Sequence, residues 1–329
     1  KKKKSGIYYL TRKTIGLTPT DSLAEAGRKA IGFHFARMLD KEAGTRAGED
    51  IEELHDMRVA TRRMRAAFNL FGPAYSAKAV KPLLAGLRAT GKALGPVRDL
   101  DVFMEKLQNY QHSLAGYEKE DFAIFLDVWK VRRDAARKKM LAYLDSKEYR
   151  KFKKRLYKFV TTEGLGAKPI PQRVPPVPYQ LRHIVPGLIY SAYDQVRAYE
   201  TVLDNAPIDT LHELRITFKG LRYTLEFMQE ILYDGKEMVI KEVKAMQDHL
   251  GDMNDADVAA AILRDFLADW ETHQLHLPLA QRQSPAPIVA YLNAQLNQRH
   301  RLLTTFPKAW AHFNRPEFRA NLAKAISML

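Results

Sequence analysis

The 329-residue chain contains no cysteine, which excludes disulfide staples and cysteine-ligated zinc and suits a non-secreted, cytoplasmic protein. No segment approaches the ~18 uninterrupted apolar residues that a membrane-spanning helix needs. The basic start, Lys1 to Lys4, lacks the apolar stretch that would follow in a signal peptide. No membrane association is expected. Strand-like alternation is scarce, and glycine and proline are thin inside the long periodic stretches. A Walker-type loop, a Gly-x-Ser-x-Gly elbow and a His-Glu-x-x-His pair are all missing, so no common catalytic signature presents itself.

What remains is helical. Apolar residues recur at three and four, as in Leu23, Ala26, Ala30, Phe33 and Met38, the pattern of an amphipathic helix. Breakers at Gly72-Pro73, Gly95-Pro96, Gly164 to Gly166 and Asp234-Gly235 divide the chain into three or four helices per half. The length exceeds what one hydrophobic core usually serves, which predicts two units of roughly 150 residues. Pro171, Pro175, Pro176 and Pro178 deny helix continuation and mark the linker. The expected organisation is a basic N-terminal extension over 1–19, a first helical bundle over 20–166, a proline-rich linker over 167–178 and a second bundle over 179–329.

The halves resemble each other. Leu54-His55-Asp56-Met57-Arg58 matches Leu211-His212-Glu213-Leu214-Arg215 at an offset of 157, and the match continues through Arg62 with Lys219 and Arg65 with Arg222. Further on, Leu94-Gly95-Pro96-Val97-Arg98-Asp99-Leu100-Asp101-Val102 matches Leu250-Gly251-Asp252-Met253-Asn254-Asp255-Ala256-Asp257-Val258 at an offset of 156, as do Arg88 and Lys244. Two ordered matches at nearly one spacing predict an internal duplication, too long in period for a solenoid.

The chemistry lies in that repeat. Each copy reads His-x-x-Arg-x-x-x-(Arg/Lys)-x-x-Arg, which at about 100° per residue gathers a histidine and three cations within roughly 80° of one helix face, along about 15 Å. The net charge of +15 favours an anionic partner, either polyphosphate or nucleic acid. One outcome for the rail is an internal ion-pair network with Asp99, Asp101, Asp255 and Asp257. The other is a track for phosphates, gripped by guanidinium forks and lysine point charge, with His55 and His212 as hydrogen-bond donors or proton-linked cations. The paired aspartates that follow glycine are expected to cap a helix start and orient the rail arginines.

At these residues the chain resembles the CHAD domain, the conserved histidine α-helical domain, over roughly residues 20 to 329. The resemblance implies an all-α fold of two antiparallel four-helix bundles, related by pseudo-twofold symmetry around a basic central cavity. It also implies inorganic polyphosphate as ligand and association with polyphosphate granules, whose proteins become candidate partners. The Glu-x-Glu-x-Lys signature of the CYTH-type enzymatic domain that some members carry is not found. Site residues expected to bind ligand are His55, Arg58, Arg62, Arg65, His212, Arg215, Lys219 and Arg222, with Arg88, Arg98, Lys244, Arg132, Arg137 and Arg301 as outer candidates.

Residues 130–158 hold thirteen Lys/Arg against three acids, too many for one face to collect, so part of this cluster is solvated surface. His273 and His276 have the spacing of two metal ligands without a third, and neither metal nor cofactor is expected. The expected function is non-catalytic polyphosphate binding. Alternatives are a nucleic-acid module, which such a charge favours non-specifically at low salt, and a histidine phosphotransferase or metal-dependent phosphohydrolase.

Overall fold

The computed structural model describes residues 13–329, the side chains of Tyr117, Asp121 and Ile124 excepted. The described residues form ten α-helices and no strand. In the first half these are α1 (Leu23–Ala47), α2 (Ile51–Phe71), α3 (Ala77–Ser113), α4 (Tyr117–Leu144) and α5 (Lys147–Thr161). In the second they are α6 (Leu181–Arg197), α7 (Ile208–Met228), α8 (Lys236–Leu275), α9 (Ala286–Phe313) and α10 (Pro316–Ile326). The fold is all-α, with five helices per half in place of the expected three or four. Helices α2 and α7 both have 21 residues, and α4 and α9 both have 28.

Local signals account for the helix ends. Ser22, Asp50, Ser76 and Ser146 each accept a backbone N–H at a helix start, satisfying a donor that has no partner inside the helix. Helix α1 stops at Gly48, whose φ of 73° is left-handed and costs glycine little. One expected breaker does not break. Gly95-Pro96 ends no helix, because α3 runs for 37 residues through both Pro82 and Pro96. Leu94, Gly95 and Val97 are buried there, and packing outweighs the lost N–H.

The aspartates after those glycines therefore lie mid-helix on α3 and α8, and they cap nothing. The irregular stretch 162–180 contains the four prolines. It is tied to the first half where Ser76 N–H donates to the Gly166 carbonyl (2.8 Å) and Lys168 N–H to that of Ala74 (2.8 Å).

The halves share their cores. The larger core joins α1, α2 and α5 with α6, α7 and α10 and the near ends of the long helices, through residues such as Phe71 and Phe227, whose ring centroids lie 5.8 Å apart. The smaller core closes the far ends of α3, α4, α8 and α9, where Phe125 meets Phe266 at 4.5 Å and Tyr110 meets Tyr291 at 4.6 Å. Both cores thus draw on residues of the two halves.

Ile15 and Leu17, within the span expected to be a basic extension, are buried in the larger core. The backbone N–H groups of Ile15, Gly16 and Leu17 donate to the Glu230 carboxylate at 2.5, 2.6 and 2.8 Å, fastening this strap to the second half. Residues 1–12 of that extension lie outside the described residues. No described helix is long and apolar enough to cross a membrane.

Candidate functional site

Each rail residue follows a core residue by one position. On α2 the buried Leu54, Met57, Thr61 and Met64 precede His55, Arg58, Arg62 and Arg65, and on α7 the buried Leu211, Leu214, Phe218 and Leu221 precede His212, Arg215, Lys219 and Arg222. One residue is a turn of about 100°, so the cations emerge on the flank of the buried stripe rather than opposite it. The stripe that fixes each helix in the core thus also fixes where its charges point.

Between the two cores lies a cavity of about 530 Å³. Helix α2 contributes His55, Arg58, Val59 and Arg62 to its walls, and α7 contributes Arg215. The repeated motif of the long helices and the turn that follows it supply the rest: Arg98, Asp99, Val102, Phe103 and Lys106 from α3, and Asn254, Asp255, Val258, Ala259 and Ile262 from α8. On α3 the larger core ends at Val97 and the smaller begins at Phe103, so the motif spans the opening between them. Arg58 and Arg65 rest along α3 at Gly95 and Gly91, where an added Cβ would meet their guanidinium nitrogens at 3.8 and 3.7 Å.

Carboxylates neutralise only part of this wall. Arg58 pairs with Asp99 at 2.6 Å, Arg98 with Glu52 at 3.3 Å, and Lys106 with Asp255 at 3.3 Å. Among the described residues no ion pair involves Arg62, Arg65, Arg215 or Lys219, two from each rail. Helices α2 and α7 touch, and Lys219 stands in the combined field of Arg62, Arg215, Arg58 and Arg65. Burial first, and then those four positive charges, lower its pKa to about 8. Of these four, Arg62 and Arg215 line the cavity, and Arg65 and Lys219 do not.

A family model described as the CHAD domain matches residues 29–264. The chain belongs to the CHAD domain family. The match stops within α8, whereas two solved structures extend over most of the chain. The CHAD domain from the plant Ricinus communis has a TM-score of 0.63 at 21% identity, covering 95% of this chain and 94% of that one. PptA from Streptomyces chartreusis has a TM-score of 0.64 at 14% identity, covering 89% of this chain and all of the other. At such identities the likeness is one of fold. No curated protein sequence matches the chain.

The two histidines of this CHAD chain are not equivalent. His55 lines the cavity, and burial together with Arg98 holds its pKa below the ordinary value, against the opposing pull of Glu52 and Asp56. His212 is absent from the lining, and its Nε2 lies 3.9 Å from Asp257 Oδ2. The Asp257 carboxylate also accepts a bond from Arg299. In the first half Arg133 Nε binds Asp101 in the same manner, at 2.8 Å. Asp101 and Asp257 thus clamp the long helices, and neither orients a rail arginine.

Other candidates fall outside the cavity. Arg222 donates to Glu226 at 2.6 Å, and Arg63 of α2 lies 2.7 Å from the same carboxylate, so Arg222 belongs to a bridge between α2 and α7. Arg137 donates to the carbonyls of Thr45, Arg46 and Ala47 and serves as the C-terminal cap of α1. Arg132 lies over the Trp129 ring at 4.6 Å. Arg88, Lys244 and Arg301 are exposed and line no part of the cavity. His273 and His276 sit at the C-terminal end of α8.

Sequence reasoning misses Lys106, Arg63 and Glu226. The first is not repeated in the second half, and the other two are single charges among many. A carboxylate four residues after Arg222 is the one visible signal.

Proposed function

We propose that this CHAD chain binds inorganic polyphosphate in the cavity between α2, α3, α7 and α8 and leaves it chemically unchanged. One observation carries the reading: Arg62 of α2 and Arg215 of α7 line one cavity without a carboxylate partner, and Lys219 lies in the field of both. A chain of phosphates supplies repeated negative charge to such a cluster, and guanidinium forks bind phosphate oxygens in short charge-assisted bonds. Asp99 and Glu52 are 69% and 60% exposed, so the pairs they make with Arg58 and Arg98 are weak and exchange readily for phosphate. The CHAD resemblance implies the same ligand, together with residence at polyphosphate granules in the cytoplasm.

Nucleic acid is the weaker alternative, because the wall offers no stacking platform. Its one aromatic side chain, Phe103, is 7% exposed and packs edge-on against Trp129 at 4.8 Å. Competition of long polyphosphate against single- and double-stranded DNA and RNA at physiological salt separates the two. Polyphosphate displacing every nucleic acid supports the proposal, and nucleic acid winning at equal charge contradicts it. Incubating the polymer with the protein and Mg²⁺ or Mn²⁺ should leave its length distribution unchanged; a shortened ladder would indicate an enzyme.

A further inference from the structure

A second cavity, of about 540 Å³, lies between the N-terminal part of α8 and the C-terminal part of α9, and it shares no lining residue with the cavity of the rails. Its volume falls in the range of small-molecule sites. The walls are mainly apolar. Met246 and Phe313 belong to the larger core, and the more exposed Met238, Ala245 and Ala309 carry that surface outward.

One ion pair interrupts the apolar wall. Glu242 of α8 is 7% exposed, and its Oε1 accepts a bond from Arg315 Nη2 at 2.7 Å. Arg315 precedes the first residue of α10, and its Nη1 lies 3.2 Å from His312 Nδ1. The pair is incomplete on both sides. Glu242 Oε2 and Arg315 Nε are buried, and neither has a hydrogen-bond partner in the protein. Leaving such atoms unpaired costs free energy, most of all on charged groups.

Each of the two atoms calls for a definite partner. The carboxylate oxygen takes a donor, best a cationic one, and the guanidinium N–H takes an acceptor, best an anionic one. Because Glu242 and Arg315 are in direct contact, the two partner groups must sit as close together as substituents of one carbon atom. The exposed Lys241 and Lys308 line the same cavity and add positive charge for the anionic group. The remainder of the ligand faces apolar walls.

We propose that this cavity binds a free α-amino acid with a large apolar side chain, its ammonium on Glu242, its carboxylate on Arg315 and its side chain against Met246 and Phe313. An apolar carboxylate without the amine leaves Glu242 Oε2 unpaired, and an apolar amine leaves Arg315 Nε unpaired. Polyphosphate offers neither an apolar surface nor an ammonium, so this site is independent of the reading given to the rails.

Titration calorimetry on the intact protein tests it, with L-phenylalanine as the probe. The analogues are 3-phenylpropanoate, 2-phenylethylamine and glycine, which lack the ammonium, the carboxylate and the apolar side chain in turn. L-Phenylalanine should bind at one site with a Kd below about 1 mM. Each analogue should bind at least about tenfold more weakly, as expected for losing a charge-assisted bond or a buried ring. Ala245→Trp, which fills the cavity from its exposed rim and keeps both charged groups, should abolish binding. Glu242→Gln should weaken L-phenylalanine and leave 3-phenylpropanoate as it was, a split that general loss of structure does not produce. Excess polyphosphate should leave the affinity for L-phenylalanine unchanged. Absence of saturable binding, an analogue that matches L-phenylalanine, full binding by Ala245→Trp, or displacement by polyphosphate overturns the proposal.

Discussion

Arg58 Nη1 donates to the Asp99 carboxylate at 2.6 Å, tying α2 to α3 at the cavity wall. Asp99 is largely exposed, so the contact is weak, and on the proposed function a phosphate would displace it. Asp99→Asn should strengthen polyphosphate binding by roughly two- to fivefold and leave the fold intact. Titration of both proteins with the same length-defined polymer checks it. Weaker binding in the variant would mean that Asp99 orients Arg58 for the ligand.

Arg133 and Asp101 form the opposite kind of pair. The Asp101 side chain is 3% exposed, and Arg133 Nε holds it at 2.8 Å. Arg133→Ala strands a buried carboxylate and should cost about 3 kcal/mol of stability, read as a lower urea midpoint at unchanged slope. Removing both groups in Arg133→Leu with Asp101→Leu should recover much of that loss. Additive losses in the double variant would contradict the clamp.

Lys219 trades stability for charge. Its folded pKa, about 8, lies below the ordinary 10.5. Below pH 8 the lysine is protonated in both states, and the folded state carries the full penalty. As pH rises from 8 to 10.5 the folded state loses its proton first and the penalty fades. Lys219→Met should therefore raise the melting temperature at pH 7, by a margin that shrinks as pH rises from 8 to 10.5, while weakening polyphosphate binding. A variant less stable than the parent at pH 7 would show that the lysine contributes through packing.

The same residue sets the pH dependence of binding. Polyanion restores the ammonium of Lys219, so binding takes up a proton and should weaken by up to about tenfold per pH unit above pH 8. Lys219→Arg, charged throughout, should bind with a flat profile there. His55 is held below its ordinary range by burial and Arg98. Its protonation accordingly adds to binding only on the acid side of about pH 6.5, and His55→Gln should alter that limb alone. A slope above pH 8 that survives in Lys219→Arg would assign it to another group.

How much of the molecule is legible in the sequence depends on distance along the chain. The three-and-four periodicity carries the all-α class, and the offset of 157 locates both rails, because Leu54 and Leu211 set the same local phase. Gly95-Pro96 misleads, since a dipeptide does not report that Leu94 and Val97 are buried, and the capping roles expected of Asp99 and Asp101 fail with it. Shared cores are invisible, because contacts such as Phe71 with Phe227 join residues far apart that have no paired pattern. The unequal surroundings of His55 and His212 have the same origin: Arg98 lies near one, Asp257 near the other, and neither neighbour is on the histidine's own helix. Arg137 reads as a ligand cation because its real partners are backbone carbonyls, which composition does not reveal.

The central claim is that the two rails grip one polyanion together, and a double-mutant cycle tests it directly. Arg62→Ala, Arg215→Ala and the pair are titrated with long polyphosphate and with triphosphate at physiological salt. Each single change should weaken the long polymer roughly tenfold, as expected for one charge-assisted contact. The double change should depart from additivity, because both arginines act on the same stretch of ligand and on Lys219 between them. Strictly additive losses, equal for long polymer and triphosphate, would mean two separate sites and would contradict the account.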